Sequence, residues 1–149
     1  MTKSRVVTWA ASAALALAVT GFAASAGPME DRQAAMKQVG QTMKEASAFA
    51  SPQTPFDAAK VKALMGGIAN TGRKLKSLYP AGSGSDPKSS ADPKIWDNKG
   101  DFDKRLAEMA SLAATAGKTT STETFKPAFS ALGATCKSCH DLYRKKKTS

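Results

Sequence analysis

Between residues 29 and 50 the apolar side chains fall at helical spacing. Met36, Val39, Met43, Ala46 and Ala50 form one stripe, with Lys37, Gln41, Lys44 and Glu45 between them. The pattern predicts a first helix over 29–50. Pro52 and Pro55 cannot continue it, so 51–55 is a break. A second stripe of Val61, Leu64, Ile68, Leu75 and Leu78 predicts a helix over 56–79. Gly66, Gly67 and Gly72 interrupt it at a cost of roughly 1 kcal/mol each relative to alanine, so their small size is expected to serve close approach of a neighbouring helix or subunit. Residues 80–93, rich in Gly, Ser, Asp and Pro, form one long loop, a length that is usually functional or disordered in a compact domain. A third helix is predicted over 101–116 through Phe102, Leu106, Met109 and Leu112, with Asp101 and Asp103 at its positive end and Gly117 closing it. The last helix is predicted to start within 120–124 and to reach about 146 through Phe125, Phe129, Leu132, Cys136, Cys139 and Leu142. Pro127 fits it only if the regular helix begins at about Phe125 or kinks there. No stretch alternates with period two, so no strands are expected. The prediction is an all-α, antiparallel four-helix bundle with a cofactor between its helices.

The front of the chain follows a different pattern. Lys3 and Arg5 precede an apolar, alanine-rich stretch over 6–22, and Ala24-Ser25-Ala26 supplies a small-residue cleavage site. Residues 1–26 are therefore expected to be a cleaved secretory signal peptide and 27–149 the mature domain. The competing reading is a membrane anchor, but the modest leucine content and small-residue exit suit cleavage. Export predicts a periplasmic protein. Losing Lys3 and Arg5 takes the formal charge from +10 to +8. That surplus favours acidic partner proteins, whereas nucleic acid is not expected, since no basic patch interleaved with aromatics appears.

The chemistry gathers near the other end, in Cys136-Lys137-Ser138-Cys139-His140. In the spelling C-x-x-C-H, two thiols can form thioethers to the vinyl groups of a haem, and the following histidine can lie beneath the iron. On a helix, one turn carries both tethers and the ligand. Three alternatives compete. A thioredoxin-like redox pair calls for a βαβ context that the pattern lacks. A structural zinc needs four ligands, and the chain has two cysteines and one histidine. A disulfide would close too short a loop to gain much chain entropy. Haem attachment consumes both cysteines, so the core is expected to hold without a disulfide.

The C-terminal Cys136-Lys137-Ser138-Cys139-His140-Asp141-Leu142-Tyr143-Arg144, the Pro93-Lys94-Ile95-Trp96 box and the leading Arg32-Gln33-Ala34-Ala35-Met36 together resemble the cytochrome c-prime family, the class II c-type cytochromes. The likeness spans essentially all of 27–149. It implies a four-helix bundle with one haem c per chain, bound covalently near the C-terminal helix through Cys136 and Cys139, with His140 as proximal ligand. It further implies that Arg144 lies beside that imidazole, that Arg32 and Gln33 contact the haem or its propionates, and that Ser89 and Ser90 lie where the loop approaches it. Arg144 also reads as part of the basic end, residues 144–147.

His140 is the only histidine, so the far side of the iron is open, or closed by Met36 or, less readily, a lysine. The resemblance places Met36 at the distal position. In one branch of the family this position leaves the iron five-coordinate and open to nitric oxide or carbon monoxide; in a low-spin branch a methionine closes it. Two functions follow, a periplasmic carrier of single electrons or a gas-binding module. Neither is an enzyme, and no catalytic triad, paired-carboxylate site or phosphate loop stands out. Redox partner proteins and a homodimer through the first two helices are the associations expected.

Overall fold

A computed structural model describes residues 27–146; the proposed signal segment lies outside them. The main helices are α1 (Pro28–Ala46), α2 (Ala58–Leu75), α4 (Lys99–Ala116) and α5 (Thr122–Tyr143), with one short added helix, α3 (Lys94–Asp97). The four-helix bundle expected from the apolar stripes is the fold found.

The helix ends follow local chemistry. Pro28 occupies the first turn of α1, where its missing N–H costs nothing, and Glu30 and Asp31 face the positive dipole end. Two helices are capped by side chains: Asp57 accepts from Lys60 N at 2.9 Å, and Ser121 from Thr124 N at 3.4 Å. The first two helices stop earlier than their stripes suggest, each tightening into a 3₁₀ turn, Ser47–Ala50 and Lys76–Leu78. Pro127 is the sixth residue of α5 and not part of its start. It removes one hydrogen bond to the Glu123 carbonyl, at a place where both residues are exposed.

Packing runs α1 against α2, α2 against α4 and α4 against α5. Phe125, Met65, Ile68, Leu75, Ile95, Leu132 and Val61 are fully buried, each stabilising the fold by about 1.5–3 kcal/mol relative to exposure. The ring closes at one end only. There Phe49 and Phe56 pack edge to face at 6.3 Å, Phe56 meets Phe125 at 5.9 Å, and Phe125 meets Phe129 at 5.1 Å. Towards the other end α1 and α5 stand apart, and Met36 and Met43 stay half-buried although they lie on the apolar stripe.

The expectations for Leu142 and the α2 glycines also need correction. Leu142 does not join the apolar face of α5 but is 44% exposed, while Tyr143 is buried. At about 100° per residue, Tyr143 returns to within about 20° of Cys136, whereas Leu142 points about 120° away. Of the three α2 glycines, only Gly72 serves close approach within the chain: a Cβ there would lie 3.0 Å from Met109 Cε and 3.2 Å from the Leu106 carbonyl oxygen, whereas a Cβ at Gly66 or Gly67 would meet nothing within 4 Å. Gly72→Ala is therefore expected to destabilise the protein by about 1–3 kcal/mol through overpacking. Gly67→Ala should stabilise it by up to about 1 kcal/mol through helix propensity alone. Denaturant midpoints of the two variants check both signs.

Candidate functional site

Where α1 and α5 part, the bundle holds a cleft of about 600 Å³, lined from α1 by Arg32, Gln33, Met36, Lys37 and Gly40 and from α5 by Cys139, His140 and Tyr143. Below it lies a cavity of about 330 Å³, lined mainly by apolar groups including Val39, Met43, Leu106, Met109 and Cys136. Met36, Gly40, Cys139 and His140 line both, so the two spaces adjoin at these four residues. It is apolar in depth and cationic at its mouth. Gly40 and Gly133 face it from opposite helices, and a Cβ added to either would meet nothing within 4 Å; the side chains these positions lack help to create the space.

The motif residues meet there as the spacing predicts. Cys136 and Cys139 are free, half-buried thiols on one face of α5. Burial pushes both pKa values up, with Arg105 opposing it at Cys139, so the thiols are protonated at neutral pH. His140 is pushed the other way, first by desolvation and then by the Arg144 guanidinium, which favours the neutral imidazole that a metal requires. Among the described residues no three His, Cys, Asp or Glu side chains gather as a metal cluster, so the motif's neighbourhood supplies no further zinc ligands. Two thiols and one imidazole beside an apolar slot with a cationic mouth fit a haem, whose ring is apolar and whose propionates are anionic.

The remaining site residues divide. Arg144 lines the cleft beside His140, but from extended backbone: α5 ends at Tyr143, and Arg144 forms an isolated antiparallel bridge with Ala91. Lys145 N donates to Ser90 O and Asp92 N to Tyr143 O, both at 2.9 Å. Ser90 lines the cleft; Ser89 does not, being 3% exposed with its hydroxyl turned to Arg32. Arg32 reaches the cleft wall but directs its guanidinium into the loop. It donates to Ser83 Oγ at 3.0 Å, Ser83 O at 2.7 Å, Ser89 Oγ at 2.8 Å and Leu78 O at 3.3 Å, and stacks over Tyr79 at 5.0 Å and Trp96 at 5.8 Å. Gln33 lines the mouth and donates to Lys88 O at 3.2 Å.

Sequence reasoning missed an aromatic wall. Trp96, Tyr79, Phe102 and Tyr143 follow one another at 6.3, 4.6 and 5.3 Å, and the last three line the cleft. Trp96 donates to Pro80 O at 2.8 Å and lies so close to Gly84 that a Cβ there would collide with the indole. The available signal was Tyr143, on the motif's own helical face. Its hydroxyl donates to Asp101 Oδ2 at 2.7 Å, and Arg105 grips the same oxygen at 2.7 Å.

The family model described as cytochrome C' matches residues 27–144. Cytochrome c' of Rhodopseudomonas palustris is 36% identical over 138 residues, covering 91% of this chain and 94% of that one. Cytochrome c-556 of Agrobacterium fabrum is 36% identical over 129 residues, covering 85% and 87%. A solved cytochrome c' from Rhodopseudomonas palustris superposes with a TM-score of 0.76 at 34% identity, covering 83% of this chain and 100% of that one.

Arg32→Met takes a donor from the Leu78 and Ser83 carbonyls and leaves Ser89 Oγ with only the longer bond from Ala91 N at 3.3 Å, at about 1–3 kcal/mol for each group left buried and unsatisfied. A loss of at least about 2 kcal/mol in denaturant unfolding is expected. Faster proteolysis within 80–93 should accompany it, and Arg32→Lys should not restore the wild-type level, because an ammonium lacks the planar fork. Asp101 is held below its ordinary pKa by Arg105 first and Tyr143 second. Its folded pKa being the lower one, its contribution is present above the ordinary carboxylate range and disappears as pH falls through the folded value. The stability gap between wild type and Asp101→Asn should therefore narrow on acidification, as denaturant midpoints measured across pH will report.

Proposed function

The chain belongs to the cytochrome c' family, whose cofactor is covalently bound haem c, and from that premise we propose that it carries single electrons, with Cys136 and Cys139 as thioether tethers, His140 as proximal ligand and Met36 as sixth ligand. The observation that carries this reading is that Met36 and His140, on different helices, both line the cleft and the apolar cavity that adjoins it. When bound, haem supplies a one-electron Fe(III)/Fe(II) couple and, at an open axial position, a site for a diatomic gas.

The protein's own groups suit that task. The Met36 thioether is a soft donor that favours the reduced state, and Arg144 beside His140 weakens the imidazole's basicity in the same direction. Val39, Met43, Leu106 and Met109 give the inner cavity an apolar lining. The aromatic wall and the Arg32-held loop fix the slot in place, so that a change of charge meets a rigid, low-dielectric surround. Export to the periplasm, with residues 1–26 removed, belongs to the same proposal. Among the described residues no helix is long and apolar enough to cross a membrane.

One observation favours a second reading. The apolar cavity of about 330 Å³ continues past Met36, room that a gas could use if the methionine only packs. Optical spectra of the oxidised and reduced holoprotein, with carbon monoxide then added, separate the two. The expected result is a sharp low-spin α-band that carbon monoxide leaves unchanged, converted by Met36→Ala to a broad high-spin spectrum that shifts with the gas, together with a lower reduction potential. A wild-type spectrum already high-spin and gas-sensitive would replace the carrier with a gas-binding module. Haem retained after acid extraction from the wild type, and released when Cys136 and Cys139 are both replaced, checks the tethers.

A further inference from the structure

Every charged side chain lining the mouth of the cleft is cationic. Lys37 comes from α1, Lys88 from the loop and Arg144 from the end of α5, and no carboxylate lies among the lining residues. Lys145 and Lys146 extend this edge past His140, where the one acid, Asp141, is bonded to Lys137 at 2.6 Å. Elsewhere among the described residues Lys60, Lys76, Lys99 and Arg105 sit in ion pairs with Glu45, Asp103 and Asp101. None of the five rim cations appears in such a pair; Lys145 Nζ donates to the Ser89 carbonyl at 3.1 Å, a neutral acceptor that leaves its charge unneutralised.

The backbone beneath them is clamped. Gln33 donates to Lys88 O, Lys145 N to Ser90 O and Asp92 N to Tyr143 O, so cations from three segments keep a fixed spacing. Two propionates at this mouth would offset only part of five positive charges. The far end of the bundle offers a comparison. Lys118 and Lys126 are exposed there, and Lys126 lies about 21 Å before His140 along α5 at 1.5 Å per residue.

We propose that the rim formed by Lys37, Lys88, Arg144, Lys145 and Lys146 is the docking face for a redox protein that presents a cluster of carboxylates, and that the electron crosses there. The inference rests on the electron-carrier reading above. Preorganised charge of one sign steers association and fixes orientation more than it adds affinity, which suits a partner that must arrive and leave quickly.

The test compares two double reversals with the same change in net charge, Lys88→Glu with Lys146→Glu at the rim and Lys118→Glu with Lys126→Glu at the far end. Reduced holoprotein is mixed with hexacyanoferrate(III) or with tris(phenanthroline)cobalt(III); one electron leaves the protein, the reagent is reduced by one unit, and no proton moves. Binding of a fluorescein-labelled decaglutamate peptide is read in parallel by anisotropy. At low ionic strength the rim reversal is expected to slow the anionic oxidant about tenfold, speed the cationic one and abolish peptide binding. The far-end reversal should change each by less than about twofold. Equal effects from the two reversals would overturn the docking face, because the attraction would then belong to net charge alone. Peptide binding lost only with the rim reversal, beside negligible electron exchange with both oxidants, would keep the acidic docking face and reject the carrier reading beneath it.

Discussion

A guanidinium that is only 3% exposed costs several kcal/mol unless its N–H groups are satisfied. Arg32 meets that demand with neutral oxygens drawn from across the loop that follows α2, and much of the site's geometry depends on those bonds. By accepting from Arg32, Ser89 fixes the stretch that presents Ser90 and Ala91 to the end of α5. The pairing of Ala91 with Arg144 then ends the helix one turn after His140. The same guanidinium covers Tyr79 and Trp96, so the aromatic wall and the loop are ordered by one side chain. Removing it would loosen the loop, the cleft wall and the seating of Arg144 together.

The bundle is built unevenly, and its chemistry sits where the packing opens. At the α5 start, phenylalanines seal the ring of helices. At the other end, glycines on α1 and α5 and the long half-buried Met36 and Met43 leave a slot that protein side chains do not fill. An apolar slot left open to water is unfavourable in proportion to its area. A haem seated there would bury that surface, so cofactor binding and the closing of the core would be one event. The half-buried thiols of Cys136 and Cys139 face that space and not a disulfide partner elsewhere.

Much of this was legible in the chain itself. Helical stripes, proline breaks and capping residues depend on neighbours three or four positions away, and the bundle follows from them. The C-x-x-C-H spacing is likewise a property of one helical turn, which is why Cys136, Cys139 and His140 were found together without reference to the rest of the fold. Met36 entered through the family resemblance, and its place on the stripe with Val39 and Met43 agrees with a side chain turned towards the space the motif faces.

What the tertiary structure alone decided involves partners far apart in sequence. Arg32 finds its acceptors 46, 51 and 57 residues away, beyond the reach of any local pattern. Ser89 and Ser90 are identical neighbours, yet one is buried on Arg32 and the other lines the cleft. Gly66, Gly67 and Gly72 are alike in sequence, but of the three only Gly72 meets another helix of the chain, because it lies on the face that α2 turns to α4. Local periodicity set which faces are apolar; the packing of those faces set which residues surround the site.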